Sequence, residues 1–213
     1  MLVSSPHLGK LTLPATVGRS PGVHMSDLYN DFYQLTEPKR FDKSKPMDTL
    51  RVLTGLALED ALETALIEKL GPLLGGERPG ELRTASGLPY TPDLIIFEGR
   101  IVRIGEIKCT WMSCRECPIS PTMAEQWGLT ANWDGIDPHV SFPQKFDKYF
   151  DQMMLYGYHT DTPYSRLFGC FINGDYHPPR PVILPWDFTF TEREMQECWR
   201  KYENHGRTRG LLP

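Results

Sequence analysis

The chain has 213 residues, 40% hydrophobic and 23% charged, a composition that suits one globular domain with a sizeable core. The net charge of −4 excludes a uniformly basic surface and leaves local positive clusters at Lys39, Arg40, Lys43 and Lys45, at Lys145 and Lys148, and at Arg200, Lys201, Arg207 and Arg209. No apolar run approaches the ~20 residues that span a bilayer, and no basic start precedes an apolar stretch, so neither a membrane span nor a signal peptide is expected and the setting is expected to be cytoplasmic.

Residues 1–25 carry prolines and glycines without a period and read as an irregular arm. SDLYNDFYQL (residues 26–35) is expected to form a short helix with Ser26 as its N-cap. Residues 39–46 form a charged connector. Residues 50–70 place Leu and Ala at helical spacing, and Gly71-Pro72 stops them. After a Gly- and Pro-rich loop, the β-branched runs DLIIF and IVRIGEI flank Glu98-Gly99-Arg100 and predict a hairpin. Residues 111–142 have no period and read as an irregular insertion in a domain covering residues 26–213. A helix is expected over residues 143–158, with Pro143 near its first turn. Strands are expected over residues 164–173 and 180–188. A last helix opens on a Thr191–Glu194 capping box and closes at Gly206. This order predicts an α/β fold with a central mixed β-sheet flanked by helices.

The hairpin carries the chemistry. A two-residue loop at Gly99-Arg100, with Gly first as a type II′ turn prefers, sets Asp93 opposite Glu106. Opposed carboxylates have Cβ atoms about 5 Å apart and repel one another. A divalent cation between them converts that repulsion into ligation. Lys108 lies two residues beyond Glu106 and projects from the same face, where an ammonium can orient a water or stabilise charge on a phosphate. The plainer alternative is an exposed ribbon with solvated charges.

Pro92-Asp93 followed by Glu106-Ile107-Lys108 resembles the PD-(D/E)XK nuclease signature. Upstream, the run from Gly55 to Glu63 (GLALEDALE) resembles the G-x-x-x-H-x-x-x-E helix of the RecB-like exonuclease branch, with Glu59 standing where that branch has histidine. Downstream, Gln152 and Tyr156 match its Q-x-x-x-Y motif, and His24-Met25-Ser26-Asp27-Leu28 is similar to the short opening segment of some relatives. The likeness spans roughly residues 24–160.

The resemblance implies a restriction-endonuclease-like core and a deoxyribonuclease dependent on Mg2+ or Mn2+. Its implied catalytic set is Asp93, Glu106, Lys108, Glu59 and Glu63, with Asp93, Glu106, Glu59 and Ile107 at the metal. Gln152 and Tyr156 are implied to contact the substrate strand or to position the site. The implied substrate is DNA, linear and including single strands, cut from its ends in recombination, repair or phage DNA processing. A homo-oligomer enclosing DNA is compatible with that reading. Glu59 and Glu63, one turn apart on one helix face, are both candidates for the helix ligand. The plainer alternative leaves both in solvent.

Five cysteines, an odd number set among apolar residues, fit free thiols. Cys114 and Cys117 have metal-ligand spacing, but a zinc site needs two more ligands, one of which would be His139. No cysteine precedes Cys109 and only Cys170 and Cys198 follow the Gln–Tyr helix, so a family iron–sulfur cluster is not expected. Trp111, Trp127 and Trp133 either stack on bases or pack the insertion down, the second reading being the simpler. His159 and His177 read as structural or surface residues. Two other functional readings remain at this stage: a catalytically silent nucleic-acid-binding or assembly module on the same fold, and a zinc-stabilised interaction protein built on Cys114 and Cys117.

Overall fold

Alternating apolar residues and one glycine turn build the centre of the fold. The computed structural model describes residues 20–38, 49–70, 75–120, 142–172 and 182–213. Among them, in chain order, are helices α1 (Met25–Thr36) and α2 (Thr49–Leu70), strands β1 (Gly76–Glu77), β2 (Leu82–Arg83), β3 (Pro89–Tyr90), β4 (Leu94–Glu98) and β5 (Ile101–Thr110), helix α3 (Asp147–Thr160), strands β6 (Tyr164–Phe171) and β7 (Val182–Thr189), and helix α4 (Glu192–Thr208).

The main sheet has the order β1-β4-β5-β6-β7. Only β5 and β6 run parallel, so the sheet is mixed. A parallel pair needs a long crossover, and α3 lies within it. β2 and β3 form a separate two-stranded ribbon. In the β4–β5 hairpin Glu98 pairs with Ile101 and Leu94 with Gly105, the register expected from a two-residue turn. Gly99 takes φ of 63°, and Arg100 is not among the positive-φ residues, as a type II′ turn requires.

Side-chain alternation divides the sheet into two faces. Ile104, Leu167, Leu184, Trp186 and Phe188 point toward α1, α3 and α4, where they join Leu28, Phe150, Met153, Leu155 and Tyr202 in the larger core. Leu94, Ile96, Ile107 and Phe168 point the other way and pack beneath Leu62, Leu66 and Ile67 of α2. Helices thus flank a central mixed sheet, in agreement with the expected fold class.

Three local expectations are corrected. The N-cap of α1 is His24, two residues before Ser26, because the carboxylate of Asp27 accepts the His24 backbone N–H at 2.8 Å. The Gly- and Pro-rich stretch after α2 contributes β1, β2 and β3, strands of two residues each that are too short to leave a periodic signature. Gly206 does not close the last helix. It lies inside α4, where a Cβ would come within 2.9 Å of Leu28 and Leu212, and the left-handed glycine is Gly210, with φ of 68°. The Thr191–Glu194 capping box is present as expected.

The start of the expected insertion, residues 111–120, packs inward, with Cys114, Cys117 and Ile119 buried and Pro118 O accepting the indole N–H of Trp186 at 3.0 Å. Residues 121–141 of that insertion, with Trp127, Trp133 and His139, lie outside the described residues, as do residues 1–19 of the arm, the connector from Lys39 and the surroundings of His177. No helix among the described residues is long and apolar enough to cross a membrane.

Candidate active site

The hairpin register, continued one step past Leu94↔Gly105, sets Asp93 against Glu106, and a second step sets Pro92 against Ile107. Proline has no N–H to offer Ile107. The Ile107 N–H itself donates to the Asp93 carboxylate at 2.7 Å. The N–H and C=O of one strand residue leave on the same side, so the Ile107 carbonyl faces the Asp93 edge as well. Its side chain meanwhile is buried under α2.

Glu106 is fully buried. Its Oε1 is held from the strand by Lys108 Nζ and from α3 by the amide of Gln152, at 2.5 Å. The same amide nitrogen lies 3.2 Å from the Tyr156 hydroxyl. Glu106 Oε2 is buried and has no hydrogen-bond partner among the described residues, an arrangement that costs free energy unless something else satisfies the oxygen. Lys108 Nζ is also 3.7 Å from Asp93 Oδ2 and lies over the Tyr149 ring at 5.5 Å.

Burial and the charge of Asp93 raise the Glu106 carboxyl above its ordinary value, with Lys108 opposing. Burial lowers Lys108, but Glu106, Asp93 and Glu59 together hold its ammonium well above the usual value. Burial also raises Tyr156, and a neighbouring Tyr29 adds to the effect.

The structure separates the two glutamates of α2. Glu59 accepts the backbone N–H of Cys109, the residue after Lys108, and its pKa is raised by burial against the pull of Lys108. Glu63 is engaged by Arg78 at 2.8 Å, and burial with Asp93 pushes its carboxyl up to about 7. Arg78 also donates to Asp60 Oδ1 at 3.0 Å and to the Asp60 carbonyl at 2.7 Å, pinning the segment after α2 onto the helix.

Asp93, Glu106, Lys108 and Gln152 form the floor of an open cleft of about 690 Å3. Asn30, Lys148, Tyr149, Glu81, Pro89 and Tyr90 also line it. Lys148 Nζ is 3.3 Å from Asn30 Oδ1. In the sequence Lys148 stands out only as part of a positive cluster, and Asn30, Tyr149 and Tyr90 do not stand out. A signal existed for two of them: Lys148 and Tyr149 stand four and three residues before Gln152, on the helical stripe that leads to Tyr156.

Among the described residues no three His, Cys, Asp or Glu side chains converge as a ready metal centre. Lys108, rather than a third carboxylate, stands between Asp93 and Glu106. All five cysteines are free thiols, as expected, and Cys114 and Cys117 are wholly buried at a 3-10 turn. Trp111 is half-buried. His159 packs edge-on against Trp199 with centroids 4.5 Å apart, the structural role expected of it.

No family model matches the chain, and no curated protein does. Among solved structures, the chain is similar to an alkaline exonuclease from Laribacter hongkongensis at 16% identity, covering 75% of this chain and 68% of that one with a TM-score of 0.43. It is also similar to a phage-related exonuclease from Haemophilus somnus 129PT at 13% identity, covering 89% of this chain and 93% of that one with a TM-score of 0.47.

Proposed function

We propose that the protein is a deoxyribonuclease of the PD-(D/E)XK type that hydrolyses phosphodiester bonds with a divalent metal, its single nuclease domain covering residues 26–213. The observation that carries this reading is Glu106 Oε2, a buried carboxylate oxygen without a partner among the described residues, lining an open cleft with Asp93 opposite and Lys108 beside it. An acidic, oxygen-only donor set suits a hard cation such as magnesium or manganese. Asp93, Glu106 and the Ile107 carbonyl would hold the ion, with Glu59 completing the set from α2.

An ion held there would supply Lewis acidity toward the phosphate and an attacking water. Lys108 stands on the same strand face as Glu106, where its ammonium orients the water or offsets charge growing on the phosphate. Gln152 acts first on the enzyme itself, fixing the Glu106 carboxylate. Tyr156 supports that amide. Lys148 and Asn30 offer a cation and an amide on the cleft wall for a backbone phosphate, and Tyr149 beside them offers a ring. Linear DNA cut from its ends, in recombination, repair or phage DNA processing in a cytoplasm, is the substrate class that the RecB-like motif order favours.

The test is degradation of end-labelled linear and closed circular DNA with magnesium, manganese or EDTA, together with Asp93→Ala and Lys108→Ala. Loss of linear DNA only with metal, survival of circles, and two inactive variants are expected. Cutting of circles would leave the chemistry in place and remove the preference for ends. An intact substrate under every condition, with DNA still bound, would replace the reading with a silent binding module.

A further inference from the structure

Two of the five thiols are neighbours across the sheet. Cys109 on β5 and Cys170 on β6 are register partners in the parallel pair. Register partners project from one face, here the face covered by α2 and opposite to the one that presents Glu106 and Lys108. Both thiols are free and they interact directly, the contact raising Cys109 and lowering Cys170. Cys170 is 5% exposed, while Cys109 is half-buried and open to a small solute. Cys114 and Cys117 are buried completely, which denies them the same access.

We propose that Cys109 and Cys170 are an oxidative modification site, a thiol pair that hydrogen peroxide closes into a disulfide, and that closure slows the candidate active site. One sulfur attacks the peroxide oxygen, forming a sulfenic acid and releasing the first water. The second sulfur then displaces the remaining oxygen as a second water. The S–S bond forms, each thiol loses its proton, and the two electrons end on the peroxide. Adjacent strands lie about 4.8 Å apart, within the roughly 4.4–6.8 Å between Cα atoms that a disulfide bridges. The Cβ atoms must approach to about 3.8 Å, so closure draws the end of β5 toward β6.

That end of β5 is where the pair reaches the site. Cys109 follows Lys108 directly, and its N–H holds the Glu59 carboxylate. Pulling Cys109 shifts both, and displacements of ~1 Å at reacting groups cost on the order of 100-fold in rate. The crosslink stands on the sheet register alone, whereas its effect on rate rests on the nuclease reading.

The experiment treats the whole protein with hydrogen peroxide, alkylates the remaining thiols, and reads digests by mass spectrometry beside DNA degradation with magnesium. A linked Cys109–Cys170 peptide that dithiothreitol removes is expected, with a fall in rate of about 10-fold or more that reduction reverses. Cys170→Ser, with Cys170→Ala as a second variant, keeps its basal rate and resists peroxide. Thiols that stay free, or a link between Cys114 and Cys117 instead, would overturn the proposal. A Cys109–Cys170 link that leaves the rate unchanged would overturn its coupling to Lys108 and Glu59. A reduced wild type inactive on every DNA would remove the nuclease reading, and the peptide link would still be read directly.

Discussion

The amide of Gln152 donates to Glu106 Oε1 at 2.5 Å, so α3 reaches across the core to fix a carboxylate that the strand has already buried. Of the two roles expected for this motif residue, contact with the substrate strand or positioning of the site, the contact made is with the enzyme's own acid. Gln152→Leu removes that donor while keeping the bulk. It should lower the rate by about 10–100-fold with the substrate KM little changed, because a site carboxylate freed to move by ~1 Å is out of position. Steady-state kinetics check this, and a change confined to KM would mean that Gln152 acts on substrate.

Lys108 neutralises two carboxylates that face each other. Lys108→Ala should abolish cleavage and, in EDTA, cost about 3–5 kcal/mol of stability, the usual effect of orphaning one half of a buried ion pair. Magnesium or manganese should restore much of the melting temperature but none of the activity. Thermal melts with and without metal test this, and a variant indifferent to metal would count against ligation at Asp93 and Glu106.

The two glutamates of α2 should separate in function. Glu59→Gln is expected to lower activity on the order of 100-fold and to weaken manganese binding, as loss of a ligand or its near neighbour does. Glu63→Gln breaks a half-exposed pair with Arg78 and should cost less than about 1 kcal/mol, with activity within a few-fold of wild type. Calorimetric manganese titration of both variants decides between them. The reverse order of effects would place the helix ligand at Glu63.

Asp151 ties three helices together. Its Oδ2 accepts from Tyr33 OH at 2.7 Å on α1, and from Lys201 Nζ at 2.8 Å and Tyr202 OH at 2.5 Å on α4. Asp151→Ala should destabilise the fold by about 3 kcal/mol or more, since it leaves two buried hydroxyls without their acceptor. Asp151→Asn, which keeps an acceptor oxygen, should cost less. Urea unfolding measures both.

His159 supplies a pH dependence away from the site. Burial among aromatic rings holds it down to about 4, against an ordinary 6.5, and its Nε2 has no hydrogen-bond partner among the described residues. Between those two values the unfolded chain binds a proton that the folded chain refuses. Stability from this group is complete above about pH 6.5 and is lost as pH falls toward 4. His159→Phe keeps a ring against Trp199 and should flatten the fall in melting temperature across that window. Equal slopes for variant and wild type would sink the assignment.

Much of the hairpin was legible from residues alone. A glycine able to take positive φ set the turn, period-two alternation set the faces, and together they placed Asp93 against Glu106 with Lys108 on the same side. The capped α4 and the long α2 were equally clear. Short strands such as β2 and β3 were not, since two residues carry no period and, among the described residues, β2 and β3 pair only with each other.

The sequence by itself determined what acts between neighbours along the chain: turn, register, helix faces and the identity of an acidic pair with its lysine. These follow from rules that operate over one to four residues. The packing of distant elements decided the rest: that Gln152 turns onto Glu106, that Arg78 claims Glu63 while Cys109 holds Glu59, and that Cys109 meets Cys170 across parallel strands. Those contacts depend on how three helices and a crossover settle on the sheet, an arrangement set by the summed burial of two cores rather than by any single residue's preference.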